Sequence, residues 1–191
     1  MQKRVNWLGL AGGAATLSLV VVSVFVPWWI LKLGDPQHAL VEANVSPVNT
    51  HLEGLGDSFT TPLLWAVNIA GALSLAAGGI VMLVYSVLPA KPYSRRLLGF
   101  SYRKPLYLVA FFVASLFLLA LIANGFGYNL PLTGSANVQL PKSMTPGATI
   151  SALVTADFQW SFWLAIATAG LCLAARVYHK RVGVAPLPAK A

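Results

Sequence analysis

Apolar residues gather in four long stretches, Val5–Leu31, Pro62–Leu88, Pro105–Phe126 and Trp160–Ala175, and none contains an Asp, Glu, Lys, Arg or His. A helix needs about 20 apolar residues to cross a hydrocarbon core of roughly 30 Å. Three stretches meet that length outright. The fourth reaches it through Tyr178, because the aliphatic stems of Arg176 and Lys180 can snorkel to the interface. The pattern predicts an all-α integral membrane protein: a single four-helix bundle with spans at about 5–31, 62–88, 105–126 and 160–178. Segments 32–61 and 127–159 become loops on one side, and 89–104 becomes a connector on the other.

Polar punctuation shapes the two loops. Each is near thirty residues, long for a helix connection. The first holds Gly34-Asp35-Pro36, Ser46-Pro47 and Gly54-Leu55-Gly56, all turn signals. Between them, His38–Val45 fits a short helix or a strand. The second loop carries Ser135–Leu140 and Ala148–Thr155, whose alternation and β-branched residues suit strands. A small β cap over the bundle is therefore expected. Asp57-Ser58-Phe59 precedes Trp65 much as Asp157-Phe158 precedes Trp160 and Trp163. An acid near a helix N-terminus and aromatics at the headgroups account for this echo.

Charge orients the bundle. Eleven of the thirteen Lys and Arg residues lie in the N-terminus (Lys3, Arg4), the connector (Lys91, Arg95, Arg96, Arg103, Lys104) and the C-terminus (Arg176, Lys180, Arg181, Lys190). Lys32 and Lys142 share the loops with all five acids, Asp35, Glu42, Glu53, Asp57 and Asp157. Basic short loops stay cytoplasmic, so both termini and the connector are expected inside a plasma membrane and the long loops outside. The formal net charge of +8 is thus a topology signal with a contact for anionic headgroups, and nucleic acid is not an expected partner. Low acid content and a single cysteine, Cys172, which excludes an intrachain disulfide, point to a prokaryotic source.

Candidate functional residues are sparse. Trp28, Trp29, Trp65, Trp160 and Trp163 fall at the outer span ends, where they anchor the interface or frame a quinone or lipid. Small residues recur at packing distance in Gly9/Gly13, Ala70/Ser74/Gly78 and Ser161/Ala165/Ala169, and in lipid such rows let helices approach closely. His38 and His51, near Glu53 and Asp57, are the only metal candidates, without a recognised spacing. Asn44-Val45-Ser46 matches the glycosylation acceptor pattern. The spans supply no ionisable group for a proton path and no His for haem. Nucleophile elbows, Walker loops and zinc-protease signatures are absent too.

The layout resembles that of claudins and related tetraspan proteins. Their first outer loop carries a Trp motif with paired cysteines. Here that loop has no cysteine and its tryptophans sit at the helix end, so no residue role transfers. The expectation is a non-catalytic accessory subunit of a larger membrane complex, of respiratory, secretion or surface type, with no cofactor beyond a bound lipid or quinone. Its partners would be other integral membrane subunits and lipids, or a second copy. The alternatives are a self-associating tetraspan surface protein and a small quinone- or lipid-binding oxidoreductase subunit.

Overall fold

The computed structural model describes residues 5–35, 38–139 and 151–182. It contains five helices, α1 (Trp7–Phe25), α2 (Pro62–Val87), α3 (Ser94–Ser101), α4 (Arg103–Gly125) and α5 (Trp160–Val182). Six strands accompany them: β1 (Trp29–Asp35), β2 (His38–Val45), β3 (Thr50–Gly54), β4 (Asp57–Phe59), β5 (Gly134–Gln139) and β6 (Ser151–Phe158). Among the described residues, four helical segments are long and apolar enough to cross a membrane: Trp7–Phe25, Pro62–Val87, Ser94–Gly125, which joins α3 to α4, and Trp160–His179.

The all-α expectation is overturned. Helix makes up 60% of the described residues, but 22% form a six-stranded antiparallel sheet, so the class is mixed α/β. The error starts at Pro27. Proline cannot continue a helix and biases the residue before it toward extended backbone. Helix α1 accordingly stops at Phe25, and Trp29–Asp35, whose first three residues extended the predicted span, becomes a central strand. In the first loop, His38–Val45, which fitted a helix or a strand, is strand β2, and β3 and β4 follow it.

Both loops contribute to that sheet, whose order is β4-β3-β2-β1-β6-β5. Side chains alternate between faces with period two. The register sets Trp29, Leu31 and Leu33 beside Phe158, Ala156 and Val154 on one flank and beside Val45, Ala43 and Val41 on the other. This face is apolar, and Trp29, Val154, Ala156 and Val138 are buried on it. The opposite face carries Lys32 between Glu42 and Thr155, with Glu53 beyond Glu42. Lys32 pairs with Glu42 at 3.5 Å and His51 with Glu53 at 2.8 Å, relieving two facing carboxylates.

The chain divides into two compact units. One comprises Ser23–Ile69 and Ala110–Phe162 and contains the whole sheet. Its core is aromatic: Trp28 meets Phe112 edge-on at 5.1 Å between centroids, and Phe158 stacks on Phe162 at 4.4 Å. The Trp28 backbone ties neighbouring segments together, its N–H donating to Val45 and its carbonyl accepting from Gln159.

The other unit comprises Met1–Val22, Ala70–Val109 and Trp163–Ala191. It holds eleven of the basic residues and no Asp or Glu. In it α1 packs on α2 through glycines. A Cβ on Gly13 would lie 2.8 Å from the Leu83 side chain and 3.0 Å from the Gly79 carbonyl. One on Gly79 would meet Leu17 at 2.9 Å. Such an approach is possible only without side chains at the crossing.

Candidate functional site

Thr61 sets the geometry of one groove. Its hydroxyl accepts the Leu64 N–H at 3.3 Å, capping α2 directly before Pro62, whose missing N–H costs nothing at the first helical position. The chain before that cap and strand β3 enclose a groove of about 490 Å³. It is lined by Asn49, Thr50, Thr60, Thr61, Pro62, Leu64, Trp65 and Asn68. None of these side chains is ionisable. Trp65 is 67% exposed and presents its ring there.

Asn68 is the distinctive member, an amide placed within an apolar span. Its Oδ1 accepts from the Thr50 hydroxyl at 3.2 Å. That hydroxyl also lies 3.1 Å from the Ser46 carbonyl and has one proton to share between them. The Asn68 amide N–H groups find no acceptor among the described residues. With amide and hydroxyl donors and acceptors beside an exposed indole, the groove's lining suits a neutral polar group.

A second polar cluster lies in the basic unit, centred on Asn6, which is fully buried. Asn6 Oδ1 accepts the Gly9 N–H at 3.0 Å, capping α1. Its amide donates to the Tyr85 hydroxyl at 2.8 Å and to the Ala175 carbonyl at 3.1 Å, while its backbone N–H donates to Ser86. The Tyr85 hydroxyl, which accepts from Asn6, also shares a hydrogen bond of 2.9 Å with His179 Nδ1, its direction set by the imidazole tautomer. Sequence reading missed this staple, though Asn just before a long apolar run is a capping signal.

A third cluster surrounds Tyr102, whose ring is buried. Its oxygen accepts from Arg103 Nε at 3.2 Å and from Arg176 Nη1. The two guanidinium carbons lie 5.8 and 4.4 Å from the ring centroid.

The sequence-predicted residues scatter. The five tryptophans do not frame one pocket. Trp28 and Trp29 are buried with their indole N–H groups spent on Ser23 and the Leu132 carbonyl, at 2.8 Å each. Trp65 lines the groove, and Trp160 and Trp163 are exposed. His51 pairs with Glu53, whereas His38 stands opposite Asp35 at the far end of β2 from the partner of His51, Asn44. No group of three or more His, Cys, Asp or Glu that could hold a metal occurs among the described residues. Asn44 donates to Glu42 at 2.9 Å, and Ser46 of its acceptor pattern is buried.

Of the packing candidates, Gly9 faces Ser86 and Tyr85, Gly13 faces Leu83, and Gly78 faces Lys104. Ala165 and Ala169 are buried, and Ser161 donates to the Pro27 carbonyl. Ser74 is half-buried and Ala70 exposed. Gly79 and Gly12, the latter against Cys172, belong to the packing set and were not singled out from sequence.

No protein-family model matches this chain, and no curated protein is significantly similar to it.

Proposed function

We propose that this chain is a non-catalytic membrane subunit that docks onto a larger protein assembly through its sheet. Its four apolar helices would cross a plasma membrane with both termini and the α3 connector cytoplasmic, leaving the sheet outside. The charge division supports that orientation, because the unit without the sheet carries eleven of the thirteen basic residues and the sheet unit carries every acid.

One observation carries the docking reading. The β3–β4 hairpin turns through Leu55 and Gly56, both at positive φ (54° and 89°), and Leu55 is 84% exposed. A leucine there is strained in its backbone and unfavourable in water. Strain of this kind concentrates where a contact exploits it. Phe59, Leu40 and Val41 add exposed apolar surface on neighbouring strands. Purification in mild detergent should recover stoichiometric partners, and Leu55→Asp should lose them while the chain remains folded. A monodisperse monomer from native membranes would overturn the proposal. Crosslinks between identical chains through the hairpin would instead favour the self-associating tetraspan alternative.

The groove beside Asn68 supports a second reading, a lipid or quinone held at the outer end of α2. A quinone analogue or neutral lipid that raises the unfolding temperature of the wild type but not of Asn68→Leu would favour it.

A further inference from the structure

We propose that Arg103, Arg176 and Tyr102 form a clamp for a phosphate-bearing group, supplied by an anionic lipid headgroup or a soluble phosphoester. The inference is independent of docking through the sheet; only its lipid arm rests on the membrane reading.

A guanidinium has five N–H donors and no acceptor. Here two guanidiniums donate to one neutral phenol oxygen, and the tyrosine's own proton reaches no acceptor among the described residues. The cluster is therefore rich in donors, and its only acceptor is already shared by both cations. Arginine forks match the oxygens of a phosphate in pairs, and such charge-assisted bonds are among the strongest available to a side chain.

Electrostatics leads the same way. Two like charges brought to one atom repel, and a nearby carboxylate ordinarily relieves them. This unit contains no Asp or Glu. Arg95, Arg96 and Lys104 belong to it as well, and Lys104 Nζ sits 4.8 Å over the Phe100 ring rather than on an acid. Cation–π contact with the Tyr102 face holds the Arg176 guanidinium in position. It leaves the positive charge uncompensated by any carboxylate side chain of this unit, which suits the cluster to an anionic ligand. Arg103 and Arg176 are both exposed and accessible to one.

The test uses the full chain in an uncharged maltoside detergent, following the unfolding midpoint on titration. The probes are phosphatidylglycerol, a neutral galactosyl diacylglycerol and inorganic phosphate. Phosphatidylglycerol should raise the midpoint above the galactolipid, with a rise that fades as salt is added. The Arg103→Gln/Arg176→Gln double variant should bind it about tenfold more weakly or worse, given the strength of charged hydrogen bonds. Tyr102→Phe, which removes the shared acceptor, should weaken binding less. If the double variant does not fold, the wild-type contrast between the two lipids decides. Inorganic phosphate that abolishes the lipid increment assigns the clamp to soluble phosphoesters, and phosphate without effect assigns it to headgroups. Equal responses to both lipids with none to phosphate, or an unchanged response in a folded double variant, would sink the proposal. Absence of co-purifying partners would leave this result untouched, so the two proposals fail separately.

Discussion

Single residues bear unequal weight, and Asn6 bears more than its size suggests. It caps α1 and binds Tyr85 on α2 and the Ala175 carbonyl on α5, all in a fully buried setting. Alanine there would abandon the Gly9 N–H and the Ala175 carbonyl together. A lost cap costs about 1 kcal/mol and an orphaned buried group roughly 1–3 kcal/mol, so Asn6→Ala should destabilise by several kcal/mol. Denaturant titration of the detergent-solubilised protein would measure it, and a loss below that of one exposed hydrogen bond would contradict the assignment. Leu55 is the opposite case, a residue the fold tolerates at a cost. Two-residue hairpins with positive φ at both positions favour Asn-Gly. Leu55→Asn keeps the turn, removes an exposed apolar side chain and eases backbone strain of about 1 kcal/mol. The isolated chain should therefore gain stability while, on the docking proposal, losing partner affinity. The same purified variant reports both effects, as a shift in unfolding midpoint and a change in co-purification yield.

Helices and strands were unequally legible. Helices α2, α4 and α5 announce themselves because burial in lipid or protein demands apolar residues on every side, and nothing in the interior of their spans competes with that pattern. Strand β1 was hidden for the same reason. A central strand covered on one face and flanked by aromatics reads as a continuation of the apolar run before it, and only Pro27 marks the change. Cross-loop pairing was invisible in principle: the β1–β6 register joins residues more than a hundred positions apart, which local alternation cannot encode. The groove was half legible. Trp65 stood out, while Asn49 and the three threonines converge only once β3 lies beside α2. Helix crossings gave a mixed result, since small-residue spacing found Gly9, Gly13 and Gly78 but not Gly79, the partner of Gly13. The crossing itself offers a test with an internal control. Gly13→Val should cost about 1–3 kcal/mol through overpacking against Leu83 and Gly79. Gly170 is also helical but has nothing within 4 Å of a built Cβ, so Gly170→Ala should gain up to about 1 kcal/mol from helix propensity. Unfolding midpoints that move together for both variants would mean that backbone freedom, not close approach, governs these glycines.

At the scale of the whole molecule, the proposed orientation rests on the sorted charges rather than on any side-chain contact. Helix α2 links Ser58, exposed in β4 of the acidic sheet unit, to Arg96, exposed in α3 of the basic unit. Its 26 residues rise about 39 Å, enough to cross a hydrocarbon core of roughly 30 Å with some tilt. Moving the basic connector across the membrane instead would carry Lys91, Arg95, Arg96, Arg103 and Lys104 with it, against the bias that holds such residues inside. Cys172, the chain's only cysteine, is 1% exposed and so leaves a quiet background for labelling. A membrane-impermeant maleimide applied to intact cells should therefore modify Ser58→Cys and spare Arg96→Cys. After permeabilisation, both should react. Labelling of Arg96→Cys in intact cells would invert the orientation and place the proposed phosphate clamp outside. Equal labelling of both sites in intact cells would show that α2 does not span, and the membrane reading would fall with it.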